Sequence, residues 1–158
     1  MAKKIYPSYN FIHNEVIQYG NMVKENKIEY DAIIALARGG SMIGTILSHF
    51  LNVPVIHVQY SSLYGQGESK YSILNKFPRL TGYQNILVVD DICDTGNTFQ
   101  EVVDYLNLSC DVNTYSVYYR KMITSNHLPN HSICLDDDSW ICFPWEVTQM
   151  LDDEYNGI

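Results

Sequence analysis

No apolar run in this 158-residue chain approaches the roughly 20 residues that a membrane-spanning helix needs. The opening stretch, MAKKIYPSYN, carries two lysines with no apolar segment behind them, so no secretory leader is expected. Cysteine is sparse. Cys93, Cys110, Cys134 and Cys142 stand far apart with no C-x-x-C pair, which argues against a zinc site or a disulfide framework and for a reducing, cytoplasmic setting. The 5 histidines show no ligand spacing. Positive charge is scarce as well: 10 Lys and Arg face 18 Asp and Glu, a net charge of -8. A nucleic-acid backbone needs the opposite sign, so no nucleic-acid partner is expected, and no membrane partner either.

What is present is a soluble globular composition, 46% hydrophobic and 18% charged, at a length that suits one domain spanning 1–158. Apolar residues at Phe11, Ile12, Val16, Tyr19 and Val23 predict a helix from Tyr9 to about Lys27. The runs DAIIALA (Asp31–Ala37), VPVIHVQY (Val53–Tyr60), NILVVDD (Asn85–Asp91) and VNTYSVYY (Val112–Tyr119) read as strands, with HSICLD (His131–Asp136) a short fifth. Ser41 is placed to cap a helix over MIGTILSHFLN, and Asn97–Leu108 carries Phe99, Val102, Val103 and Leu106 on one helical face. Strand and helix in alternation predict an α/β fold: one mostly parallel sheet with helices on both faces. Ligands in such folds sit beyond the carboxyl ends of the strands, where the segments after Ala37 and after Val89 would lie.

The second of those segments reads ILVVDDICDTGNT (Ile86–Thr98), a buried strand that runs directly into acids. Adjacent carboxylates repel, so Asp90 and Asp91 imply a partner that offsets the cost: ribose hydroxyls that donate to them, or Mg²⁺ held through its water shell. Asp94, Thr95, Gly96, Asn97 and Thr98 then enter a helix. Backbone N–H groups, two hydroxyls and the positive helix end make a phosphate cradle, and Gly96 lets the backbone come close to an oxyanion. Diol acceptors beside a monophosphate site match a ribose 5-phosphate. Receiver-type signalling domains also place acids at strand ends, but with the pair near the first strand and a lone phosphoacceptor later, which this order does not fit.

VVDDICDTGNT resembles the phosphoribosyl pyrophosphate (PRPP) motif of type I phosphoribosyltransferases, closest to the short xanthine–guanine and hypoxanthine enzymes. The resemblance implies that fold with a small C-terminal hood, and it implies roles. Asp90 and Asp91 would hold the ribose hydroxyls and Mg²⁺. Asp94 would serve as the acid or base for a purine proton, and Thr95, Gly96, Asn97 and Thr98 would bind the 5-phosphate. Asn97 stands where other members carry Gly or Lys. Arg38, Gly39 and Gly40 resemble the pyrophosphate loop, which often carries a non-proline cis peptide. Residues 61–84 match the flexible loop that closes over the reacting centre, with Lys70, Lys76 and Arg79 as cations able to approach pyrophosphate, although Ser61-Ser62-Leu63-Tyr64 departs from the expected Ser-Tyr pair. Within a hood of about 120–150, SWICFPWE (Ser139–Glu146) offers Trp140 to stack on a purine and carbonyls at Trp140 and Ile141 to accept from it. Lys121 would donate to the 6-oxo group, with Arg120 its rival. The implied activity is Mg²⁺-dependent transfer of phosphoribosyl from PRPP to a 6-oxopurine, in a homodimer or homotetramer. The alternatives are another acceptor base, adenine or a pyrimidine, or a regulatory protein that binds PRPP without turnover.

Overall fold

The computed structural model describes residues 3–65, 68–73, 80–106, 109–121, 129 and 132–146. In chain order the elements are β1 (Lys4–Ile5), α1 (Tyr9–Glu25), β2 (Ala32–Ala37), α2 (Gly39–Leu51), β3 (Val55–Gly65), β4 (Glu68–Ile73), β5 (Asn85–Cys93), α3 (Asn97–Leu106), β6 (Asp111–Arg120), β7 (Ile133–Leu135) and β8 (Trp140–Ile141). Six strands form the main sheet in the order β4-β3-β2-β5-β6-β7, and β1 pairs with β8 separately. Every pair in the main sheet is parallel except β3 with β4. The α/β expectation holds.

The central strands are apolar throughout because both faces are covered. Alternate residues of β2 divide accordingly. Ile33 and Ala35 join Ile12, Val16, Val23, Ile43 and Leu47 under α1 and α2. Ala32, Ile34 and Leu36 join Phe99, Val102 and Leu106 under α3. Burying a side chain such as Phe99, 2% exposed, contributes about 1.5–3 kcal/mol relative to leaving it in water. The α1 stripe is that expected from its spacing except at Phe11, which is 40% exposed, and Ser8 starts the helix by accepting the Phe11 N–H at 3.1 Å.

The chain leaves β2 toward β3 on one side and leaves β5 toward β6 on the other. The two central, adjacent strands therefore send their carboxyl-end connections in opposite directions, which opens a crevice between them. Arg38 follows β2 and Asp94 follows β5, so both singled-out segments border that crevice. At the opposite end, Asp31 accepts the N–H groups of Gln84 at 2.7 Å and Asn85 at 2.8 Å, tying the starts of β2 and β5 together. Those two backbone donors hold the Asp31 carboxyl below the usual carboxylate range. A carboxyl lowered on folding stabilises the fold above its unfolded pKa, and that contribution disappears as pH falls through the folded value. Asp31→Asn is accordingly expected to lower Tm at pH 7, with the difference from the parent shrinking below pH 4 in a series of thermal melts.

Boundaries of three elements beside the crevice differ from the sequence reading by more than a residue. Helix α2 begins at Gly39, so Ser41 lies in its first turn rather than capping it, and Arg38 takes the cap position without a side-chain cap bond. Strand β5 continues through both acids to Cys93. Strand β3 runs to Gly65 and pairs antiparallel with β4, from Tyr60 with Ile73 to Gly65 with Glu68. The first part of the 61–84 segment is thus a hairpin. Lys76 and Arg79 lie outside the described residues.

Candidate active site

Parallel pairing with β6 carries β5 into the crevice, with Asp90 opposite Ser116 and Cys93 opposite Tyr119. The two acids are part-buried and supported by their own strand: Asp91 N–H donates to Asp90 Oδ1 at 2.9 Å and Ile92 N–H to Asp91 Oδ1 at 2.8 Å. Burial pushes the Asp90 carboxyl well up, and the neighbouring Asp91 charge adds to it, against hydrogen bonds from the Asp91 and Gly40 N–H groups. Burial likewise pushes Asp91 up to about 6, with the Glu146 charge adding to it against hydrogen bonds from Asp90, Ile92 and Trp145. Cys93, whose thiol burial and the charges of Asp90 and Asp94 push up to about 12, offers no nucleophile at neutral pH.

The glycine loop packs directly on this pair. A Cβ at Gly39 would overlap the Asp91 carboxylate, and one at Gly40 would lie 2.5 Å from the Val89 carbonyl oxygen and 3.1 Å from Asp90 Cα. Both glycines are needed for close approach of the start of α2 to the end of β5. The peptide between Ala37 and Arg38 is cis. Because the atoms crowding Gly40 are backbone, Gly40→Ala is expected to cost about 1–3 kcal/mol of stability, as read by denaturant unfolding.

Past the strand, Gly96 turns the chain with φ 81°, a left-handed conformation that favours glycine. Thr95 Oγ1 accepts the Asn97 N–H at 3.3 Å and Gly96 O accepts the Gln100 N–H at 2.9 Å, which starts α3. The first-turn N–H groups of a helix have no intrahelical acceptor, so this turn presents donors and a positive helix end to an anion. Asp94 sits on the same turn and is exposed, and it forms an ion pair with Arg120 at the end of β6. Arg120 Nη1 also donates to the carbonyls of Ser139, at 3.0 Å, and Asp137, at 3.3 Å.

Those carbonyls belong to the segment that leads into β8. Trp140 N–H donates to Lys3 O at 2.7 Å and Cys142 N–H to Ile5 O at 2.9 Å, so the N-terminal strand anchors the hood. Trp140 is 49% exposed, whereas Ile141 is buried at 5%. The aromatic face is therefore presented at the surface and the next residue secures it in the core.

A sequence model of the phosphoribosyl transferase domain matches residues 12–148. The chain belongs to the phosphoribosyltransferase family. A xanthine-guanine phosphoribosyltransferase of Idiomarina loihiensis is 29% identical over 121 residues, 75% of this chain and 73% of that one. A hypoxanthine phosphoribosyltransferase of Haemophilus influenzae is 30% identical over 109 residues, 64% of this chain and 61% of that one. Among solved structures, a purine phosphoribosyltransferase of Pyrococcus horikoshii superposes with a TM-score of 0.77 at 24% identity, covering 91% of this chain and 94% of that one. The type I phosphoribosyltransferase fold expected from the sequence is the one observed.

In this phosphoribosyltransferase Arg38–Gly40 and Asp90–Thr98 flank the crevice at the carboxyl ends of β2 and β5, and Arg120 links Asp94 to the segment that leads into Trp140–Ile141. Lys121 is exposed, and its backbone N–H donates to Leu135 O at 2.9 Å. Arg120, the rival for contact with the purine oxygen, is instead engaged by Asp94 and two hood carbonyls. Trp145 and Glu146 went unassigned in the sequence reading. Phe143 N–H donates to Glu146 Oε2 at 2.9 Å, and the Trp145 ring stacks on Phe143 with centroids 4.8 Å apart, a turn that brings the Glu146 charge to bear on Asp91. The signal was the acid closing the SWICFPWE stretch. It is the one carboxylate in a run otherwise explained by aromatic packing.

Proposed function

We propose that this protein transfers the phosphoribosyl group of PRPP to a 6-oxopurine (guanine, xanthine or hypoxanthine), giving the nucleoside 5′-monophosphate and pyrophosphate. The observation that carries the reading is the continuous segment Asp90–Thr98, in which two adjacent part-buried carboxylates at the end of β5, the exposed Asp94 carboxylate and the first turn of α3 follow one another at the mouth of the crevice. The names of the Idiomarina and Haemophilus relatives support the choice of acceptor.

In this account the Asp90 and Asp91 carboxylates accept from the ribose 2- and 3-hydroxyls. Thr95, Gly96, Asn97 and Thr98 bind the 5-phosphate, and Arg38 with the Gly39 and Gly40 backbone binds the pyrophosphate. The bond from the anomeric carbon to pyrophosphate breaks and the bond to a purine ring nitrogen forms. Asp94 takes the proton that the nitrogen loses. No covalent nucleophile is needed, because positioning and charge stabilisation suffice for an oxocarbenium-like transition state. Trp140 stacks on the base, the Trp140 and Ile141 carbonyls accept from it, and Lys121 donates to its 6-oxo group. Residues 61–84 form the loop that covers the reacting centre. Two adjacent part-buried carboxylates are hard oxygen donors whose repulsion a dication relieves, so Mg²⁺ fits Asp90 and Asp91. When bound there it neutralises charge on the pyrophosphate leaving group. We place the enzyme in the cytoplasm as a homodimer or homotetramer; among the described residues no helix is long and apolar enough to cross a membrane.

Incubation with PRPP, Mg²⁺ and each of guanine, xanthine, hypoxanthine, adenine and uracil tests the proposal. Nucleotide is expected from 6-oxopurines. Turnover of adenine or uracil alone would overturn the assignments of Lys121 and Trp140, and PRPP binding without turnover of any base would move the protein to the regulatory alternative.

A further inference from the structure

Arg120 is the last residue of β6 and lies between two strands, with its neighbour Tyr119 paired to Cys93 of β5 and Arg120 itself paired to Leu135 of β7. Its guanidinium spans the gap between the segments that follow those strands. Nε donates to Asp94 Oδ1, and Nη1 donates to Asp137 O at 3.3 Å and Ser139 O at 3.0 Å. Three acceptors on two separate segments thus meet one planar fork, an arrangement that a lysine, with a single flexible point of charge, does not reproduce. The Asp94 side chain is 56% exposed, and ion pairs at such positions contribute little to stability. What the contact supplies is orientation. It occupies one Asp94 oxygen and leaves the proton of the incoming base to the other. Through Ser139 O it also fixes the backbone immediately before Trp140, whose own N–H is held from the other side by Lys3 O at 2.7 Å.

We propose that Arg120 is a positioning residue that couples the proton-accepting carboxylate Asp94 to the purine-stacking hood at Trp140, so that the base is bound and deprotonated in one register. The inference rests on the function proposed above. PRPP is held by other residues, Arg38–Gly40 and Asp90–Thr98 apart from Asp94, so the coupling acts on the purine side of the reaction.

The test is steady-state kinetics of Arg120→Gln and Arg120→Lys beside the parent, with hydrogen exchange of the peptide spanning 137–142 measured by mass spectrometry on the same proteins. Arg120→Gln is expected to lower kcat by about tenfold to a hundredfold, the scale of a misplaced catalytic group, to raise KM for the purine, and to leave KM for PRPP within about twofold. Arg120→Lys recovers little of this. Added guanidinium ion restores part of the activity of Arg120→Ala. Amide exchange at 137–142 accelerates in Arg120→Gln, while Tm moves little. In an Asp94→Asn background, Arg120→Gln still raises the purine KM but costs kcat little more. Kinetics unchanged from an active parent, or a PRPP KM that rises in parallel with that for purine, would overturn the coupling. Should the parent turn over no base, the proposed function fails on its own, and exchange at 137–142 still decides whether Arg120 braces the hood: unchanged exchange there overturns this inference.

Discussion

Asp94→Asn is expected to lower kcat by about 10²–10⁴-fold while KM for PRPP stays within a fewfold, because the substitution keeps the shape of the side chain and removes its ability to take a proton. Asp94 stands on the turn before α3, is exposed and engages Arg120, and in the proposed reaction it serves the purine rather than the phosphate. Asparagine can still accept from Arg120 through its amide oxygen, which keeps the hood contact and isolates the loss of basicity. Single-turnover measurements with saturating PRPP separate the chemical step from product release. Parent-like single-turnover rates in the variant would remove Asp94 from the proton transfer.

The second large effect has two opposite signs in one variant. Asp91→Asn is expected to abolish turnover, by about 10²-fold or more for loss of a charged group aimed at the ribose, and yet to raise the Tm of the ligand-free protein. Burial pushes the Asp91 carboxyl up to about 6 from an ordinary 3.8. The folded state then binds the proton more tightly than the unfolded chain, so stability falls as pH rises between about 4 and 6, and the charged pair is a standing cost at neutral pH. Two pKa units correspond to roughly 2–3 kcal/mol, or a rise of about 4–10 °C in a domain of this size. Asparagine, of the same shape, accepts from Ile92 N–H through its amide oxygen in place of the carboxylate Oδ1 and fits the space beside Gly39. The gain is expected at pH 8 and is expected to shrink toward pH 5. A Tm lower than that of the parent at both values would show that Asp91 is stabilising, contrary to the picture of a charge held ready for substrate.

That conflict between stability and chemistry is also what made this site legible in the sequence. Four apolar residues followed by Asp90 and Asp91 make little sense as packing, so the acids had to serve something outside the chain. The apolar run Ala32–Ala37 and the α1 stripe were equally plain, because both faces of β2 and one face of α1 are dictated by burial. What the sequence did not convey depends on contacts between distant segments. Nothing in Lys4–Ile5 suggests a strand until Trp140–Ile141 comes alongside it. Arg120 and Lys121 are indistinguishable as neighbouring cations, and only the placement of Asp94 and the Ser139 carbonyl separates their roles. Ser41 has the chemistry of a cap, but the close fit of Gly39 and Gly40 against Asp91 and Val89 starts the helix three residues earlier. Glu146 gains its meaning from the turn at Phe143, which aims its charge at Asp91.

The central claim is that the Asp90–Thr98 turn binds PRPP for transfer of its phosphoribosyl group to a purine. The most direct measurement follows pyrophosphate and nucleotide together in one reaction containing PRPP, Mg²⁺ and guanine, with a parallel reaction lacking the base. The account predicts one pyrophosphate and one nucleoside monophosphate for each PRPP consumed, with no pyrophosphate released when the base is omitted. Pyrophosphate released at the same rate without any base, or PRPP left intact with every 6-oxopurine supplied, would contradict it.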